Sequence, residues 1–145
     1  MNEWTHNSLA ADLAAWRQRN QKRITFENMA FGDCRPDVFS LVKTLNPLRF
    51  DPITDEVKVS RGDFLADLRA SKWLVYAPFS ARIFFACPAG LIKPHEVPSS
   101  CGLIVRGAVA WEVVKRPMVN KDARLTEREW MKLVLGRWAD RAVAA

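Results

Sequence analysis

The segment at residues 82–87 constrains the fold most, because every position after Arg82 is apolar and Pro88 follows. A strand that is covered on both faces has this continuous pattern, whereas a half-buried strand alternates apolar and polar side chains. Residues 63–75, which precede it, instead repeat apolar side chains at helical spacing. We therefore predict an α/β chain in which residues 82–87 form a fully buried strand.

The other predicted elements lie on both sides of this helix and strand. A first helix is capped by Asn7 or Ser8 and runs to about Asn20. Three strands are predicted before the second helix, at residues 24–31, 36–42 and 56–60. A hairpin is predicted at residues 103–105 and 109–114, and a capping box at residues 126–129 begins the last helix. The predicted order is α-β-β-β-α-β-β-α.

The chain of 145 residues has the length of one domain, since domains average roughly 150 residues. We predict a single domain with an N-terminal helix at 1–23, a core at 24–114 and a C-terminal helix at 115–145. The longest segment without a charged residue or His, at residues 83–92, is far shorter than the ~18 residues of a membrane span. Residues 1–23 lack the apolar block of a signal peptide. We expect a cytoplasmic protein without a membrane partner.

The three cysteines are far apart in the sequence, at Cys34, Cys87 and Cys101. No CxxC motif or Cys/His cluster is present, so neither a zinc site nor a disulfide is expected. Cys87 ends the apolar segment and is predicted to be a core residue.

The net charge of +6 is unevenly distributed. Residues 24–55 carry a net negative charge, whereas residues 1–23, 56–93 and 115–145 are net positive. A basic surface favours phosphate backbones, and carboxylates grouped within it favour a divalent cation. A soluble basic protein without either ligand has the same charge distribution, so charge alone leaves both interpretations open.

Two carboxylates and a lysine are predicted to converge on neighbouring strands. Period-two alternation places Asp37 on one face of the second strand, and Glu56, Lys58 and Ser60 on one face of the third. Two carboxylates hold Mg²⁺ through their oxygens, and a nearby lysine can act on the attacking water or offset charge on a phosphate. A solvated edge strand often carries the same residues, so the spacing alone leaves the function open.

These residues also carry a resemblance to a known family. Pro36-Asp37 and Glu56-Val57-Lys58 resemble the motifs of the PD-(D/E)xK nuclease superfamily. The string at residues 56–67, EVKVSRGDFLAD, is more closely similar to the MmcB-type DNA repair proteins. Supporting similarities lie at residues 72–76, 84–88 and 102–105, and the resemblance covers residues 24–114.

The resemblance implies a restriction-endonuclease-like core, with a mixed sheet of four or more strands flanked by helices. It implies DNA cleavage that depends on Mg²⁺ or Mn²⁺, with Asp37, Glu56 and Lys58 as catalytic residues. The metal ligands would be Asp37, Glu56 and the backbone carbonyl of Val57. Glu27 is the candidate for an additional carboxylate, and its alternative is an exposed strand residue. The proline-containing stretch at 45–52 and the C-terminal helix depart from the family pattern.

Three polar residues that follow the third strand have two interpretations each. Ser60 either contacts a phosphate or a metal-bound water, or caps the helix that begins near residue 61. Asp63 and Asp67 are four residues apart on that helix, and we expect them to orient Arg61 or Lys72 rather than bind metal.

The candidate DNA-binding cations are Arg61, Lys72 and Lys93. Trp73 and Tyr76 could stack on a base, but aromatic side chains at a helix end are more often part of the core.

Three functions compete at this point. The first is a metal-dependent DNA nuclease associated with DNA repair, and the second is a non-catalytic DNA-binding or protein-interaction module that keeps the nuclease fold. The third is a structural protein whose basic face binds an acidic partner. The face of the C-terminal helix between Trp130 and Trp138 would pack on the domain or on a second copy, as in a homodimer.

Overall fold

The computed structural model describes residues 3–144. Within that range the α-helices are α1 (His6–Gln21), α2 (Arg61–Ala70) and α3 (Glu127–Ala144). The strands are β1 (Arg23–Glu27), β2 (Val38–Val42), β3 (Ile53–Val57), β4 (Arg82–Pro88), β5 (Gly102–Arg106) and β6 (Trp111–Lys115). Short 3₁₀ helices lie at Pro47–Arg49, Lys72–Phe79 and Pro94–Glu96. None of the helices in the described range is long and apolar enough to cross a membrane.

The strands form one six-stranded mixed sheet in the order β1-β2-β3-β4-β5-β6. β3, β4 and β5 are parallel, whereas β1, β2 and β3 form an antiparallel meander and β6 is antiparallel to β5. The predicted mixed sheet of four or more strands with flanking helices is therefore confirmed. The predicted order was one strand short, because both arms of the hairpin join the sheet.

The predicted bounds of β3 and α2 were wrong at both ends. β3 begins at Ile53, directly after Pro52, and ends at Val57, so Lys58 lies just beyond the strand. The chain then turns into α2, because the Ser60 side chain accepts a hydrogen bond from the N–H of Asp63 and caps the helix. α2 ends at Ala70 rather than at residue 75, because Ser71 adopts a left-handed backbone conformation with φ of 50°.

The first helix and strand also differ from the prediction. α1 begins at His6 with Thr5 as its cap, and Ser8 completes a capping box with Thr5 rather than capping the helix itself. β1 ends at Glu27 instead of residue 31, because the next residue, Asn28, has a positive φ of 57°.

Two apolar layers cover the sheet, one on each face. The α1 side contains Leu9 and Leu13 of the helix against Val57, Phe84 and other residues of the strands. The opposite side contains residues from α2, the Lys72–Phe79 3₁₀ helix and α3, packed against side chains that include Phe85 and Cys87. β4 thus contributes to both cores, which confirms that it is a fully buried strand.

A buried ion pair fixes α1 to the sheet. Arg17 of α1 donates two hydrogen bonds of 2.7 Å to the two carboxylate oxygens of Asp55 on β3. Both side chains are almost completely buried, and the guanidinium lies 5.0 Å from the centre of the Phe84 ring. Because each charge is fully paired, the helix has one favoured position over β3.

α3 divides into a packed part and an exposed part. The predicted capping box is confirmed, since Thr126 Oγ1 accepts from the N–H of Glu129 and the Glu129 carboxylate accepts from the N–H of Thr126. Trp130 and Leu133 pack against the core on the α2 side, whereas Trp138 is exposed. The face that was predicted to pack as a unit therefore covers the domain only at its beginning.

Candidate functional site

Asp37 and Glu56 lie side by side where β2 begins and β3 ends. Val38 pairs with Asp55 in the antiparallel register, so the next position along each chain brings Asp37 beside Glu56. The Asp37 Oδ2 atom accepts a hydrogen bond of 2.8 Å from the N–H of Val57. The predicted convergence of these two carboxylates is thus present.

The Glu56 carboxylate is buried and incompletely satisfied. The residue is 3% exposed, and its Oε1 atom has no hydrogen-bond partner among the described residues. Burial, followed by the charge of Asp37, raises the pKa of Glu56 from 4.5 to about 7. The Tyr76 hydroxyl, Lys58 and Lys72 act in the opposite direction. A carboxylate in this environment favours either a proton or a cation.

Lys58 lies between Glu56 and α2. Its Nζ atom is 3.8 Å from Oε2 of Glu56 and also contacts the carboxylate of Asp67. The lysine side chain is itself buried. The expectation that Asp67 orients Arg61 or Lys72 was therefore wrong, because α2 turns Asp67 towards Lys58 instead.

His6 adjoins the site although sequence reasoning did not identify it. Its Nε2 atom is 3.2 Å from Asp37 Oδ1, and the imidazole is about half exposed. The first helix was predicted to begin at residue 8 or later, so His6 had no assigned element. A cap at Thr5 is the signal that would have placed His6 in the first turn of α1.

Tyr76 forms one wall of the site. It is buried in the core, as expected for an aromatic side chain in this segment, but its hydroxyl also interacts with Glu56. Burial, followed by the charge of Glu56, raises the pKa of Tyr76, which therefore stays a hydrogen-bond donor. Trp73 packs against the same core, and its indole Nε1 is buried without a partner among the described residues.

Several predicted residues lie away from these carboxylates. Glu27 pairs with Val38, whose side chain faces α1, so Glu27 lies on the opposite face from Glu56 and is exposed. Ser60 acts as the cap of α2, which is the second of its two predicted roles. Lys93 is exposed in the loop before the Pro94–Glu96 3₁₀ helix.

Arg61 is paired within the protein. Its guanidinium donates hydrogen bonds of 2.7 Å and 3.1 Å to the two carboxylate oxygens of Glu96. This contact with Arg61 is the main cause that lowers the pKa of Glu96 to about 2. A phosphate would have to compete with Glu96 for Arg61, whereas Lys72 lies close enough to Glu56 to lower its pKa.

The donor set at the site fits a hard divalent cation. Asp37 and Glu56 supply carboxylate oxygens, and the unpartnered Oε1 of Glu56 leaves one of them available. The N–H of Val57 points to Asp37, so its carbonyl points to the same side of β3. Among residues 3–144, no three His, Cys, Asp or Glu side chains are grouped to hold a metal. Two carboxylates and a carbonyl suffice for Mg²⁺, which usually keeps several waters.

The comparisons with known proteins bear on the fold. No protein-family model matches this chain, and no curated protein matches it. The chain is similar to a solved structure of a protein of unknown function from Silicibacter pomeroyi, with a TM-score of 0.70 and 24% sequence identity. The similarity covers 98% of this chain and 91% of the other. At this identity the likeness shows that the two proteins share an architecture, a mixed sheet with flanking helices.

Proposed function

We propose that this chain is a metal-dependent DNA nuclease of the PD-(D/E)xK type that uses Asp37, Glu56 and Lys58 to hydrolyse phosphodiester bonds. The required cation would be Mg²⁺ or Mn²⁺. The observation that carries the proposal is the buried Glu56 carboxylate, which has an unpartnered oxygen, Asp37 beside it and Lys58 within 3.8 Å.

The burial of Glu56 supports a functional role. Burying a carboxylate without a full set of hydrogen bonds is costly, and strongly shifted pKa values cluster at functional sites. Asp55, the preceding residue, is equally buried but is fully paired with Arg17. The fold therefore provides a complete partner for one carboxylate and leaves the adjacent one ready for a ligand.

Each residue has a distinct proposed role. Asp37 and Glu56, with the Val57 carbonyl, would hold the cation. A divalent cation bound there would polarise a phosphodiester and lower the pKa of a water. Lys58 presents an ammonium group beside the same carboxylates, where it can offset negative charge that develops on the phosphate. Asp67 holds the Lys58 ammonium on the α2 side.

A second candidate is a non-catalytic DNA-binding or interaction module with the same fold. The contact between Lys58 and Asp67 favours this candidate, because it satisfies the lysine within the protein. The link to DNA repair and a cytoplasmic location are part of the proposal and rest on the resemblance to MmcB-type proteins and on the sequence.

The deciding experiment is a cleavage assay. Single-stranded, nicked, branched and duplex DNA are incubated with the full chain and Mg²⁺ or Mn²⁺, and Lys58→Ala is compared with the wild type. Lys121→Ala, which removes an exposed lysine elsewhere, is the matched control. We expect cleavage by the wild type and the control but not by Lys58→Ala. DNA binding without cleavage by any of them would favour the non-catalytic module.

A further inference from the structure

A second site of concentrated positive charge lies at the edge of the sheet, beside β1. It is a pocket of about 430 Å³ whose lining includes the cations Lys22, Arg23, Lys43 and Arg137. Gln18 and Thr25 also line it, and none of its lining residues is an Asp or a Glu. In a chain that interleaves acidic and basic residues over most of its length, four cations without a carboxylate are an unusual grouping.

The pocket is separate from the carboxylate site. Asp37 directly precedes β2, whereas Lys43 directly follows it. Strands rise roughly 3.3 Å per residue, so the six residues between these positions span about 20 Å. A ligand in the pocket therefore does not occupy the position between Asp37 and Glu56.

Two of the cations are cross-strand neighbours. Arg23 pairs with Val42 in the antiparallel register, so the next position along each chain brings Lys22 beside Lys43. Both lysines are exposed. Like charges opposite one another destabilise a strand pair, and an anion between them removes that repulsion.

The two arginines are held in place by the protein. Arg137 donates a hydrogen bond of 2.8 Å to the Thr25 carbonyl, and its guanidinium lies 4.5 Å from the centre of the Phe26 ring. That bond uses one of five guanidinium donors, so Arg137 can still donate to a ligand. Arg23 is buried and donates to Ser40 and Asp51, so it contributes positive charge rather than direct contacts.

We propose that this pocket binds a phosphate group, with Lys22, Lys43 and Arg137 as its direct contacts. Lysine and arginine are the side chains that hold phosphate oxygens through charge-assisted hydrogen bonds. The phosphate could belong to a nucleic-acid backbone or to a free phosphate-containing ligand. The inference goes beyond the proposed nuclease activity, since the site stands on its own residues.

The first arm of the test uses inorganic phosphate alone. Backbone amide resonances of the full chain are followed at constant ionic strength in buffer without divalent cations. We expect a saturable shift at Lys22, Thr25 and Lys43. The double variant Lys22→Gln, Lys43→Gln removes two charges, and we expect it to bind phosphate about tenfold more weakly.

A matched double variant controls for net charge. Arg116→Gln, Lys121→Gln removes two exposed cations outside the pocket and should leave phosphate binding unchanged. Thermal unfolding of each variant, compared with the wild type, establishes that the fold is retained.

The second arm measures duplex DNA binding against salt, again without divalent cations. If the backbone occupies the pocket, the slope of log affinity against log salt falls by about 0.9 for each phosphate that Lys22→Gln, Lys43→Gln no longer neutralises. Weaker binding in this arm supports a nucleic-acid phosphate, and weaker binding in the first arm alone supports a free phosphate ligand. Unchanged binding in both arms, or an equal weakening in the control variant, overturns the proposal. Neither arm depends on cleavage, so the nuclease proposal can fail while this one stands.

Discussion

Asp55 and Glu56 are adjacent on β3 and point to opposite faces of the sheet. Asp55 accepts two hydrogen bonds of 2.7 Å from Arg17, whereas the Oε1 atom of Glu56 accepts none among the described residues. The same chemical change, from carboxylate to amide, should therefore have opposite effects on stability at these two neighbouring positions.

Glu56→Gln should stabilise the metal-free protein in alkaline buffer. Burial and Asp37 raise the pKa of Glu56 from 4.5 to about 7, so between these values the folded state binds a proton that the unfolded state has released. Stability therefore falls as pH rises through this window, by up to about 3 kcal/mol for this group. The variant lacks this pH-dependent decrease. Thermal unfolding at pH 5 and pH 8 checks the prediction, and a variant no more stable than the wild type at pH 8 would contradict it.

Asp55→Asn should destabilise the protein strongly. The change leaves the Arg17 guanidinium buried without its counter-charge, and breaking such a pair typically costs about 3–5 kcal/mol. Chemical denaturation at neutral pH measures the decrease in the free energy of unfolding. Asp63→Asn, at an exposed position of α2, is the matched control and should change stability little. Equal effects of the two changes would mean that the buried pair does not hold α1 to the sheet.

Alternation and register made the carboxylate pair predictable. Asp37 and Glu56 converge because side chains alternate along strands and because neighbouring strands pair in sequence, and both facts follow from local patterns. The contact of Asp67 with Lys58 was not predictable in this way, because it depends on how α2 docks and where it begins. His6 was missed for the same reason, since its place beside Asp37 follows from the packing of α1 over the sheet.

Metal binding should become tighter as pH rises. Glu56 must lose its proton to act as a ligand, and its pKa of about 7 means that much of the protein is protonated in neutral buffer. Below this pKa, the affinity for Mn²⁺ should rise by up to about tenfold per pH unit. Calorimetry from pH 6 to pH 8 measures both the affinity and the proton released. Asp37→Asn should weaken binding at every pH, and equal affinity in the wild type and the Asp37→Asn, Glu56→Gln protein would exclude this site.

Gly102→Ala should be more damaging than Gly136→Ala. A Cβ atom at Gly102 would lie 2.8 Å from the backbone carbonyl oxygen of Lys115 and 2.8 Å from the Phe84 ring, in the interior of the sheet. Such crowding typically costs about 1–3 kcal/mol. A Cβ atom at Gly136 meets the flexible end of Met29, which can move, and alanine also favours the helix. Chemical denaturation of the two variants gives the order, and a smaller destabilisation by Gly102→Ala would show that β5 and β6 are less tightly paired.

Lys58→Ala and Glu56→Gln should separate catalysis from metal binding. Lys58→Ala leaves both carboxylates in place but removes the ammonium near the reacting phosphate, and removing one such charged group typically lowers the rate about 10²–10³-fold. Mn²⁺ affinity, measured at pH 8.5 where Glu56 is ionised, should not fall, because a nearby positive charge has been removed.

Glu56→Gln should instead lose metal affinity and cleavage together, and excess Mn²⁺ should restore part of its activity. Excess metal should not restore Lys58→Ala, because the missing group is not a ligand. Cleavage rates at several Mn²⁺ concentrations distinguish the two patterns. If Lys58→Ala cleaves DNA at the wild-type rate, Lys58 serves only to neutralise Asp67 and Glu56, and the cleavage belongs to another site.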